Sequence, residues 1–214
     1  IGQILPALRE QRPEFGRNVA LDSSDLPAYA NGQRYKYHGG PEREAFSDLD
    51  AGWGHRSAVS TRKGGGYYGF KFNMISCSAT DLPLAWVVTS ASKADMRVAE
   101  AVLDRLPFAP ETCSMDKGYD YKAVYEACER RGVEAVVAKR RNSGTGEGPI
   151  DRNSDRFKRL YRARSAVERE FGRLKHRYGL TPLRIRGLAR VQMHADLCVI
   201  TRLTTALAQG ERQR

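Results

Sequence analysis

Four side chains between Tyr161 and Lys175 recur at helical spacing, Tyr161-x2-Arg164-x3-Glu168-x6-Lys175. An α-helix turns about 100° per residue, which places all four within an arc of about 60°. One acid therefore shares a face with two cations and a phenol. The plain structural reading is an Arg164–Glu168 pair at i,i+4, worth only about 0.3–0.5 kcal/mol. Two other acids give Glu168 a second use. Asp22 lies in the β-like run Asn18–Ser23, where Asp is disfavoured. Asp116 ends the short run Cys113–Met115 and precedes Lys-Gly-Tyr. An acid at the C-terminal end of a buried strand is a common site position in α/β sheets. If the two strands are neighbours, Asp22 and Asp116 converge, and Glu168 reaches them from a helix laid on the sheet. Three convergent carboxylates repel one another unless a divalent cation sits among them. Hard oxygen donors suit Mg²⁺ or Mn²⁺. Two such ions about 3.5–4 Å apart clamp the attacking and leaving oxygens of a phosphodiester displacement. Asp25 in LDSSD is an equal candidate for the place of Asp22, and Asp116 also reads as an N-cap for the helix that follows.

The elements that must hold these residues follow from periodicity. After Asn18–Ser23, residues 30–65 are rich in Gly, Lys, Arg and Ser and read as a long loop or insertion. Tyr67–Ser78 alternates and Leu84–Ser90 is continuously apolar, with a turn at Ala79–Pro83 between them, which predicts a hairpin. Helices are expected over Lys93–Leu106 and Tyr121–Arg131, the latter closed by Gly132, with a buried strand at Val133–Ala138. A Gly-rich basic loop, Arg140–Arg152, leads into one long helix from about Asp155 to Tyr178, and Val191–Ala208 forms a last apolar helix. On the long helix Leu160, Val167, Phe171, Leu174 and Tyr178 make a stripe for packing on a sheet. An antiparallel meander followed by alternating helices and strands predicts an α/β fold, a mixed sheet flanked by helices.

The 214 residues suit one domain, and 41% hydrophobic content makes the chain globular. Its formal net charge is +11, of which residues 151–214 carry +10 through 16 Lys/Arg against 6 Asp/Glu. So one-sided a basic surface favours polyanions, nucleic acid or an anionic membrane. The polar face of the long helix, with its acids and tyrosine, fits a membrane surface poorly. No apolar run is long enough to span a bilayer. Cys77, Cys113, Cys128 and Cys198 are widely spaced with no CxxC, which argues against zinc or a disulfide scaffold and for free thiols in a reducing cytosol. The chain starts at Ile1 rather than Met, and 1–16 is expected to be the remnant of an N-terminal linker, with the domain at 17–208 and a tail at 209–214.

The four-residue helix motif resembles the Y-R-E-K signature of the DDE transposases of bacterial insertion sequences. VALDSSDL around Asp22 and MDKGYD around Asp116 resemble that family's two Asp segments, and YYGFKFNMISCSATDLPLAWVVTSAS resembles its strand pair. The resemblance covers Arg17 to Ala208. It implies an RNase H-like (retroviral-integrase-like) catalytic domain with the first and fourth strands adjacent. It implies that Asp22, Asp116 and Glu168 hold two Mg²⁺ or Mn²⁺ ions, and that Arg164 and Lys175 contact double-stranded DNA at element ends while Tyr161 positions the strand at the scissile phosphate. Water would cut the element end, and the freed 3′-OH would attack target DNA. Arg173, Arg140 and Arg141 join the expected DNA contacts because of where they fall on the basic helix and loop. A homodimer in the bacterial cytoplasm is the setting such proteins imply. Two alternatives stay open: a structure-selective nuclease of the same fold, which cuts without joining, and an inactive DNA-binding remnant.

Overall fold

Val19, Ala20 and Leu21 form a run with no polar face, and all three are fully buried. Only a strand covered on both sides can use such a run. In the computed structural model, which describes residues 2–36, 39–56, 63–141, 144–146 and 148–211, that strand is β1, Asn18–Pro27. It lies at the centre of a mixed sheet with β2 (Gly52–Arg56), β3 (Gly65–Cys77), β4 (Pro83–Ser90), β5 (Thr112–Met115) and β6 (Glu134–Val137). The order is β2-β3-β1-β5-β6, with β4 also paired to β3. β3 and β4 form the expected hairpin, and β1, β5 and β6 run parallel. Setting aside the short inserted β2, the first and fourth strands are neighbours, the RNase H-like arrangement.

Six helices are seen among the described residues: α1 (Ile4–Gln11), α2 (Asp95–Leu103), α3 (Lys122–Glu129), α4 (Asp155–Arg162), α5 (Ser165–Arg177) and α6 (Leu188–Glu211). Successive residues of a strand face opposite sides. On β3, Lys71 bonds Asp95 of α2 (2.8 Å) while Phe72 meets Phe171 of α5 edge-on (6.1 Å), so α2 and α5 cover opposite faces. α1 lies against α6 and buries Leu5 and Leu8 ahead of Arg17. No helix among the described residues is long and apolar enough to cross a membrane. All four cysteines are buried free thiols.

Three expectations need correction. β1 runs on to Pro27, because the long β3 offers it a partner from Val19↔Cys77 to Pro27↔Gly69. Asp22 is therefore a mid-strand residue. The segment 30–65 is not all loop: β2 pairs with the start of β3, from Gly52↔Gly69 to Arg56↔Gly65. The same segment caps α6, where the Gly187 and Leu188 amides donate to Asp48 and Asp50 (3.0 and 2.8 Å). The single helix expected from Asp155 to Tyr178 is two. The Leu160 carbonyl accepts the Ser114 hydroxyl (3.0 Å) and the Ala163 amide (3.1 Å), and the Arg164 amide turns to Tyr161 (3.1 Å). This tighter hydrogen bonding at Ala163–Arg164 divides α4 from α5.

Gly69 sets how closely β1 and β3 can approach. A Cβ there would stand 2.3 Å from the Leu26 carbonyl oxygen and 2.7 Å from the Ala28 nitrogen, both backbone atoms. Gly69→Ala is expected to cost stability at the upper end of about 1–3 kcal/mol, since neither neighbour can turn away. Urea unfolding reads this directly, and an alanine variant as stable as the wild type would contradict so close a strand crossing.

Candidate active site

The three parallel strands are in register, with Leu21 beside Met115 and Met115 beside Val137. The next residues, Asp22 and Asp116, thus lie at one end of the sheet. β5 stops at Met115 because Asp116 turns the chain. Its carboxylate accepts the Gly118 amide (2.7 Å) and caps the short 3₁₀ turn Lys117–Tyr119. The sequence reading of Asp116 as a cap for the following helix is corrected: it caps this 3₁₀ turn, while α3 starts after Tyr121 with no side-chain cap.

Asp22 is strongly perturbed. Burial of its carboxyl, opposed by the Ser23 amide it accepts (2.8 Å), and then the charge of Asp116, push its pKa up to about 7 against the pull of Arg164. Arg164 holds two acids at once. It donates to Asp22 Oδ2 (2.9 Å) and pairs with Glu168 Oε1 (2.7 Å). Glu168, in the first turn of α5, is half-exposed at 52%, whereas Asp22 is only 20% exposed. The i,i+4 pair of the plain structural reading is real, and it forms part of a bridge between helix and sheet.

A second cluster lies beside the first. Asp25 accepts Arg56 of β2 (3.2 Å) through Oδ2 and Lys175 of α5 (3.3 Å) through Oδ1. With Asp22, Lys71, Asp95 and Asp116, it lines a cleft of about 310 Å³. Near the cleft acids, the Tyr119 hydroxyl is buried with no hydrogen-bond partner among the described residues. Burial first, then the charges of Asp22, Asp95 and Asp116, hold its pKa well above the usual value.

The other expected contacts fall in different places. Tyr161 stacks on Phe157 (5.6 Å) with the Arg164 guanidinium 5.8 Å from its ring. Arg173 lies away from the acids, bonded to Asp81 (2.6 Å) and Glu170 (3.1 Å). The Arg140 guanidinium sits over the Tyr121 ring (4.3 Å) and bonds its hydroxyl, while Arg141 is exposed at the start of the basic loop. That loop is pinned by Asp120, which accepts the Arg140 amide (2.8 Å), Thr145 (2.6 Å) and Tyr125 (2.9 Å). Arg56, Lys71, Asp95 and Asp120 carry no sequence signal of their own, apart from the place of Asp120 in MDKGYD.

Among the described residues no group of three His, Cys, Asp or Glu side chains is arranged to hold a metal as it stands. Arg164 supplies the positive charge between Asp22 and Glu168 instead. The donor chemistry nonetheless suits a hard divalent ion. Asp22 and Asp116 share the cleft with Asp25 and Asp95, burial and the charges of Asp116 and Glu168 raise the pKa of Asp22, and the buried Tyr119 hydroxyl beside them lacks a partner among the described residues.

No curated protein matches the sequence significantly. The family profile described as a transposase DDE domain matches residues 13–203, a span that contains every strand of the sheet and all three acids, and the chain belongs to that family.

Proposed function

We propose that this chain cuts DNA at the ends of a mobile element and joins the freed ends to target DNA, with Asp22, Asp116 and Glu168 as its catalytic carboxylates. The family acts in DNA transposition and generally uses divalent metal ions. The observation that carries the reading is the register that sets Asp22 and Asp116 side by side, with Glu168 tied to Asp22 through Arg164.

Asp22, Asp116 and Glu168 would hold Mg²⁺ or Mn²⁺, which would activate the attacking oxygen and neutralise the phosphate charge. The residues do the rest. Asp22 gives up the proton that burial retains, and Arg164 turns from the two carboxylates toward the DNA backbone. Lys175 holds a neighbouring phosphate, Tyr161 backs Arg164, and Arg140 and Arg141 open a basic loop beside the strand end of Asp116. Arg173, engaged by Asp81 and Glu170, holds α5 in place. In the first step water attacks the phosphorus at the element end, the P–O3′ bond breaks and a 3′-OH leaves. In the second, that hydroxyl attacks a target phosphodiester and expels the target's 3′ oxygen. No bond forms between protein and DNA.

The test uses duplexes carrying a candidate element end and a supercoiled target plasmid in Mg²⁺ or Mn²⁺, with products resolved on gels and Glu168→Gln run in parallel. Metal-dependent nicking and joining, lost in the variant and in EDTA, is the expected result. Nicking without joining would establish a nuclease of the same fold, and salt-sensitive binding with neither reaction would leave a DNA-binding protein.

A further inference from the structure

We propose that Asp25 occupies, in the DNA-free protein, the seat of a backbone phosphate, and that Arg56 and Lys175 are the two cations that grip it. This rests on the reading that the cleft takes DNA. Arg56 comes from β2, Lys175 from α5 and Asp25 from β1, and the carboxylate accepts Arg56 on Oδ2 and Lys175 on Oδ1 (3.2 and 3.3 Å). A phosphodiester carries the same single charge and likewise offers two outward oxygens. The seat is three positions along β1 from Asp22, in the same cleft. It is also preformed. The Arg56 guanidinium lies 5.2 Å from the centre of the Tyr67 ring, which orients it without satisfying its donors. The side chains of Asp25, Arg56 and Lys175 are only 11%, 25% and 15% exposed, so the cations are partly stripped of water before any ligand arrives.

A simple anchor for β2 would not need this arrangement. β2 is already held by its ladder to β3, and the segment leading to it is fixed at α6 by Asp48 and Asp50. What Asp25 adds is a built-in competitor. DNA must displace it from both cations, so it lowers affinity for DNA and reduces the number of counterions released on binding. Arg56 is then a phosphate contact that only the inserted strand can deliver.

The experiment measures binding of a short fluorescein-labelled duplex of arbitrary sequence, by anisotropy, in EDTA and across about 50–200 mM salt. Without metal no cleavage intervenes, so the outcome is independent of catalysis. Asp25→Asn is expected to bind several-fold more tightly than the wild type. Its plot of log K against log salt should steepen by about 0.9, the slope of one added net contact. Arg56→Gln should bind more weakly, with a shallower slope, and it keeps the test standing if Asp25→Asn fails to fold. In the Arg56→Gln/Lys175→Gln background Asp25→Asn should tighten binding much less than it does in the wild type. Unchanged or weaker binding by Asp25→Asn overturns the seat while leaving the carboxylate chemistry intact. Tightening of the same size in the double background overturns it too, because that would be a general charge effect. A wild type that binds no DNA overturns both the seat and the reading beneath it.

Discussion

Asp22→Asn is expected to lower strand cleavage by on the order of 10²–10³-fold or more while making the metal-free protein more stable above pH 7. The two effects have one cause. The Asp22 carboxyl is buried beside Asp116, and its folded pKa is about 7 against about 3.9 in an unfolded chain. A raised pKa means that the fold holds the proton more tightly than the unfolded chain does. The stability this confers is complete below about pH 4 and is lost as pH rises through 7, by up to about 4 kcal/mol. Asparagine keeps the shape and never ionises, so its advantage over the wild type should grow from pH 5 to pH 8. Arg164 retains Glu168 as a partner in the variant. Unfolding by urea in EDTA at the two pH values reads the difference. Mg²⁺ should then stabilise the wild type and not the variant. If Asp22→Asn is less stable than the wild type at pH 8 without metal, the carboxylate is satisfied by Arg164 and is not a site held in waiting for a cation.

The two aspartates and the glutamate were legible in the sequence for local reasons. Asp22 and Asp116 end or interrupt apolar runs, and Arg164 and Glu168 share a helical face whichever way the helix ends are drawn. Register supplied the rest once β1 and β5 were neighbours. The break between α4 and α5 was not legible, because it depends on a hydroxyl from β5, Ser114, taking a carbonyl of α4. β2 was hidden for a similar reason. Gly-Trp-Gly-His-Arg has no apolar alternation, and it is a strand only because β3 extends past the end of β4 and offers it an edge. The Asp25 cluster joins residues 31 and 150 positions apart, each ordinary in its own stretch of chain. Sequence patterns reveal what an element needs for itself, and these features answer needs set by another element.

The helix that presents Glu168 is held by a chain of charges centred on the buried Glu170, and breaking it at the largely buried Arg202 should cost about 3–5 kcal/mol. Glu170, two residues beyond Glu168, is fully buried. Arg202 of α6 donates to its Oε1 (2.8 Å), and Arg173 reaches its Oε2 (3.1 Å) while also bonding Asp81 in the β3–β4 turn (2.6 Å). Arg169 grips the same Asp81 through two nitrogens (3.0 and 2.7 Å). Asp81 is built for this place, with a left-handed backbone (φ 64°). Its carboxyl loses something to burial, but the bonds from Arg169 and Arg173 win and lower its pKa. Glu170 goes the other way: burial outweighs Arg202 and Arg173 and raises it. Arg202→Met leaves that buried anion with only a shared partner. Its pKa must then climb further, so the deficit relative to the wild type should be largest at pH 8 and shrink toward pH 5 as Glu170 takes up a proton. Removing the anion as well, in Arg202→Met/Glu170→Met, should restore most of the stability, because two apolar side chains replace a pair that was costly to desolvate. Urea unfolding of the two variants across pH decides it. Equal losses in the single and double variants would mean that the packing of the Arg202 stem, not its charge, holds α5 to α6. If the charge does hold it, a loosened α5 should also blunt cleavage under conditions where the single variant is still folded, since Glu168 and Lys175 ride on the same helix.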